Sequence, residues 1–133
     1  MKSNSDGSIA IEALILAPVL FLIATFVLFV SRLTDATSTV HRAADIAARI
    51  ASQSAASNAV YRAEQSAIRA TMATKSGCQV PRVHVQRFLL HNELHYSVRV
   101  ACDVELKGLG LLKLGKRTVS SSSTEIVDIY TSR

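Results

Sequence analysis

Tryptophan is absent from this 133-residue chain, and there are only four phenylalanines and three tyrosines. Phe21, Phe26 and Phe29 stand in one apolar run, so the rest of the chain must build its core from Ala, Val, Leu and Ile. Cysteine is limited to Cys78 and Cys102, 24 positions apart. That spacing is no zinc motif, and two thiols without accompanying histidine spacing make a poor metal site. No run of five like charges occurs, and no aromatic-laced basic patch or reading helix marks a nucleic-acid module. Nucleic acid is therefore not expected as a direct ligand. No catalytic constellation is present either, and the chain is read as non-enzymatic, without metal or cofactor.

What is present begins near the start. Residues 9–30 form an apolar run of 22 residues in which Glu12 is the only charge. At about 1.5 Å per residue such a helix crosses the roughly 30 Å hydrocarbon core of a bilayer. A charge at the centre of a membrane helix costs about 2.5–3.5 kcal/mol, and less near the edge. Glu12 is the fourth residue of the run, so a reduced penalty remains. Pro18, in the middle, removes one backbone hydrogen bond and predicts a kink near Leu14–Pro18. The apolar stretch is longer than that of a secretory signal, and no A-x-A site follows it, which favours a retained anchor.

The remaining chain divides by periodicity into an α+β arrangement: leader 1–7, membrane helix 8–30, Ala-rich helical region 31–77 and antiparallel β region 78–133. Leu33, Ala36, Val40, Ala43, Ala47 and Ile50 recur at 3-4 spacing, a narrow stripe with Arg42, Asp45 and Arg49 on the other side. Residues 52–58 read as a break. A second helix over about 59–74 aligns Val60, Ala63, Ala67 and Ala70, with Ser76-Gly77 as its stop. Beyond Cys78 the period becomes two. Val83 and Val85 alternate with Arg82, His84 and Gln86. Leu94 to Leu106 alternates with His95, Ser97, Arg99, Ala101, Asp103 and Glu105 on the exposed face. His91-Asn92-Glu93 supplies a turn, the glycines of 107–116 mark a loop, and a last strand over about 117–129 completes a three-stranded meander.

From residue 31 onward 14 Lys/Arg face eight Asp/Glu. That balance suits anionic partners, although a solvated charged face is the favoured reading. His84, His91 and His95 fall on a strand and a turn, where their spacing does not converge on a metal. Asp103 and Glu105 share a face and are read as exposed sheet residues. Leu109, Leu111, Leu112 and Leu114 either fold back onto the helices or meet a partner. Cys78 and Cys102 form either a disulfide, worth about 3 kcal/mol for a loop of this length, or two buried thiols.

Glu12 needs a partner at its own depth. Cleavage after Gly7 would create an α-amino group on Ser8 and make Glu12 the fifth residue of the mature chain. Glu12 could then face the amine of an adjacent subunit, a pairing strengthened by low dielectric. A polar leader ending in glycine, followed by glutamate within an apolar helix, looks like a type IV prepilin. More narrowly, residues 6–18 (DGSIAIEALILAP) resemble the TadE-like minor pilins, or pseudopilins, of tight-adherence (Flp-type) pilus systems, and Arg32 and the Ala/Arg-rich helix at 43–49 are also similar.

The resemblance implies cleavage by a prepilin peptidase between Gly7 and Ser8, methylation of the new amine, and an assembly role for Glu12 within a helix carrying Pro18. It implies as partners the peptidase, other pilin and minor pilin subunits, the assembly platform and the membrane. The pilus would serve adhesion, secretion or DNA uptake. Ala13, where major Flp pilins usually have tyrosine, and the added C-terminal domain set this chain apart from a major pilin. The competing reading is a single-pass accessory protein with an uncleaved anchor, whose outer domain binds an envelope partner. Arg32, Arg42 and Arg49 would hold the C-terminal side in the cytoplasm by the positive-inside rule. The leader-and-glutamate pattern instead places that domain outside the cytoplasmic membrane, and then at the pilus or cell surface.

Overall fold

A computed structural model describes residues 6–74, 78–104 and 116–127, with the backbone alone described at residues 6–10 and 79. The elements run α1 (Asp6–Ser52), α2 (Ala59–Met72), β1 (Cys78–Leu90), β2 (Glu93–Val104) and β3 (Arg117–Ile126). The class is α+β, with a long apolar N-terminal helix, a second helix and a three-stranded antiparallel sheet of order β1-β2-β3.

α1 is a single helix of 47 residues, about 70 Å long at 1.5 Å per residue. Among the described residues it runs from Asp6, and Gly7 and Ser8 are helical. It also continues through Pro18 as one element. Its end is made by serines. Ser52 Oγ donates to the Arg49 carbonyl at 2.9 Å and Ser54 Oγ to the Ile50 carbonyl at 2.6 Å. The Ser54 hydroxyl takes a carbonyl that the last turn would otherwise leave open, while the Arg49 carbonyl also accepts the Gln53 N–H at 3.2 Å.

The core sits where the C-terminal half of α1 meets both α2 and the sheet. Ala36, Val40, Ala43 and Ala47 are buried as the spacing predicts, with Leu33 and Ile50 half-buried at the margin. Ala44, Ala48 and Ala51 are buried too, so the covered stripe is wider than a single helix–helix seam. The reason is that α1 serves two partners, α2 and the sheet, where a coiled-coil seam serves one. On α2 the buried line is Ala59, Ala63, Ala67 and Thr71, with Ala70 beside it, and Val60 points outward. Thr71 satisfies its buried hydroxyl by donating to the Ala67 carbonyl at 2.9 Å.

The inner sheet face is built by Tyr96, Val98, Val100, Cys102 and Val104 of β2, all buried, with Leu94 half-buried at the end of the same face. Val83 and Val85 of β1 flank them, and half-buried Val119, Ser121, Ser123 and Glu125 of β3 complete the face. Cys78 and Cys102 are joined as a disulfide with Cα atoms 5.7 Å apart. β1 and β2 are connected through His91 and Asn92, both at positive φ (50° and 66°), after the last pair Leu90↔Glu93. That is the two-residue hairpin geometry whose twist matches the strands, and asparagine tolerates it better than most residues.

Candidate functional site

The feature most exposed to a partner is the N-terminal half of α1. From Ile11 to Val30 its apolar side chains lie open apart from half-buried Phe29, with Leu14 at 77% and Phe26 at 65% exposure. In water such a surface would be untenable. α1 is the one helix among the described residues long and apolar enough to cross a membrane. The polar side chain in the middle of the run is satisfied locally, since Thr25 Oγ1 donates to the carbonyls of Phe21 (3.0 Å) and Leu22 (2.8 Å). Thr34, past the run, does the same to Val30 at 2.9 Å.

Glu12 differs from these threonines. It stands on the exposed apolar shaft and makes no side-chain hydrogen bond or ion pair among the described residues. Gly7 and Ser8 lie on the same helix, Ser8 one turn before Glu12. Pro18 lies one and a half turns beyond it and, having no N–H, leaves the Leu14 carbonyl without its helical donor. The end of the shaft thus offers a carboxylate with no partner among the described residues and, one half-turn on, a carbonyl that Pro18 cannot serve. Both are acceptors, and what they lack is a donor at membrane depth.

Residues 7–49 match the family model described as TadE-like protein. The N-terminal segment is TadE-like. The match takes in Gly7, Ser8, Glu12 and Pro18, runs the length of the exposed shaft, and ends at Arg49 in the last turn of α1. The TadE-like segment therefore includes the buried alanines from Ala36 to Ala48 and stops short of α2 and the sheet. A TadE-like segment on an apolar N-terminal helix fits a pilus-associated membrane protein. No curated protein and no solved structure matches the chain.

The other residues singled out by sequence are spread over the sheet. His84 is exposed and lies 3.0 Å from Gln86 Nε2, while His91 is in the turn. His95, expected on the exposed face, is buried, with its ring stacked on Phe88 at 5.5 Å and its Nε2 unpartnered. The cause is register: Phe88 and Ile126 flank His95 on its two sides and shade it. The three imidazoles do not converge, and no metal-ligand cluster occurs among the described residues. Leu109, Leu111, Leu112 and Leu114 lie outside the described residues, as do Glu105, Leu106, Ser76 and Gly77.

Asp103 belongs to a small polar cluster that no sequence signal announced. Thr118 Oγ1 donates to its Oδ1 at 2.6 Å and Arg82 Nη2 donates to the same oxygen at 3.0 Å. The Thr118 hydrogen bond, followed by the charges of Arg82 and Lys116, holds the Asp103 carboxyl below the usual carboxylate range. A carboxyl lowered in the folded state adds stability above its unfolded value of about 3.9, and that contribution disappears as pH falls through the folded value. In detergent, Asp103→Asn should therefore lower the melting temperature slightly at pH 6, with the difference from the parent closing as the pH is taken toward 3. An unchanged difference across that range would remove the linkage.

Proposed function

We propose that this chain is a minor pilin, or pseudopilin, of a tight-adherence pilus, cut by a prepilin peptidase between Gly7 and Ser8 and assembled through α1. The observation that carries the reading is Glu12, a carboxylate with no partner among the described residues, five residues after Gly7 on an open apolar helix within the TadE-like match. Before cleavage the helix anchors the chain in the cytoplasmic membrane with α2 and the sheet outside. After cleavage the new Ser8 amine supplies the missing donor, to Glu12 of a neighbouring subunit, and the paired anchors pack in parallel. Partners are the peptidase, the other pilin subunits and the assembly platform, and the filament serves adhesion, secretion or DNA uptake.

One observation favours the uncleaved accessory protein instead. Gly7 is helical, and a peptide bond inside a helical turn must unwind to enter a protease. Co-expression with a prepilin peptidase, followed by N-terminal sequencing of the membrane fraction, separates the two. A chain beginning at Ser8 is expected; a chain still beginning at Met1 would sink the pilin reading.

A further inference from the structure

The sheet has two outer edges, and neither pairs with another strand among the described residues. The β1 edge is interrupted at its start, where Pro81 lacks an N–H and the register with β2 shifts between Cys78 and Pro81. From Val83 to Leu90 it is regular. β3 has no proline and pairs with β2 without any shift from Arg117 to Ile126, so among the described residues its far edge presents an unbroken row of backbone donors and acceptors. Such an edge is a template for another strand.

Because both edge strands pair with β2, rows can be followed across the whole sheet. The row Arg87–Tyr96–Glu125 begins on a cation at one edge and ends on a carboxylate at the other, both on the inner face. Neither has an ion-pair partner among the described residues, although Glu125 is half-buried. The next row, Phe88–His95–Ile126, ends on exposed apolar side chains at both edges, 39% and 53% accessible. The rows behind them end on Gln86 and Thr124, Val85 and Ser123, and His84 and Ser122, with no like charges set against each other.

Direction selects the occupant. β1 and β3 are each antiparallel to β2, so they run the same way. Pairing β3 with β3 of another copy about a two-fold axis would reverse the second molecule and send the two anchors in opposite directions. Pairing β3 of one copy with β1 of the next keeps every α1 parallel, and a join level along the strands needs no shift between copies. That level join sets Glu125 beside Arg87 of the next copy and Ile126 beside its Phe88. We propose that copies of this chain join side by side in the membrane, β3 of one adding in parallel to Val83–Leu90 of the next. The contact is heterologous, so it repeats into a ring or an open row. It rests on parallel anchoring alone and does not require cleavage after Gly7.

The test uses the full chain in membranes, with Ser122→Cys and His84→Cys made in separate copies. Oxidation is expected to give a cross-linked dimer when the two variants are co-expressed and none when either is expressed alone. A dimer from Ser122→Cys alone would overturn the head-to-tail arrangement. So would a mixed yield no greater than that of His84→Cys with Arg62→Cys, an exposed position on α2. Adding Glu125→Arg to the first copy, or Arg87→Glu to the second, should abolish the cross-link, and adding both should restore it. Failure of the double reversal to restore it would overturn the Glu125–Arg87 pairing.

Discussion

Glu12→Leu is expected to leave the chain anchored and cleaved but to exclude it from sheared filaments. The substitution makes the anchor more apolar, removing a carboxylate whose cost on a membrane helix reaches about 2.5–3.5 kcal/mol at the centre and is smaller near the edge. The amount in the membrane should therefore hold or rise. What is lost is the only acceptor with a formal charge on the exposed shaft. A newly made α-amino group on a neighbouring subunit would then be buried without its counter-charge, and leaving one member of a buried ion pair alone costs about 3–5 kcal/mol. That is a factor of more than a hundred in a packing equilibrium. The measurement is the ratio of the chain in filament and membrane fractions. Equal incorporation of Glu12→Leu and the parent would strip Glu12 of its assigned role.

The second large effect belongs to the core. Ala47 is fully buried in a layer where α1 meets α2 and the sheet through Ala43, Ala44, Ala47, Ala48, Ala51, Ala59, Ala63 and Ala67. Each alanine contributes little burial by itself, at about 0.8 kcal/mol per methyl-sized group. Their value is the close approach they allow, and serines at 121 and 123 continue the same small-residue surface on β3. Ala47→Leu forces three further carbons into that layer and should destabilise by about 3 kcal/mol, the upper end of overpacking costs. Arg62→Leu, exposed on α2, should change stability by less than about 0.5 kcal/mol. Equal melting temperatures for the two variants in detergent would show that the alanine layer is loosely packed.

The parts of this molecule that depend on one chain segment at a time were open to sequence reading. Glu12 in its apolar run, the break after Ser52, the alternation of β2 and the turn at His91-Asn92 each follow from spacing or from a single residue's chemistry. The features that depend on two segments were not. Burial of Ala44, Ala48 and Ala51 reflects α1 having two partners, which a one-helix pattern does not encode. Helical spacing aligns Val60 with Ala63, Ala67 and Ala70, yet the seam selects Ala59 and leaves Val60 outside. Phe88-Leu89-Leu90 breaks the period of two, which hid the far half of β1. The burial of His95, the Asp103–Thr118–Arg82 cluster and the row from Arg87 to Glu125 all arise from register, and register is a relation between strands.

The unbroken course of α1 has one more consequence. The sheet and Glu12 are carried on the same helix, with no hinge residue between Ile11 and Ala36 other than Pro18. Each residue along a helix turns the azimuth by about 100°. The number of residues between Glu12 and the first buried alanine therefore sets the compass bearing of the sheet relative to the carboxylate. An inserted residue in that stretch would lengthen the stalk by only about 1.5 Å, but it would swing the whole domain more than a quarter turn around its own anchor.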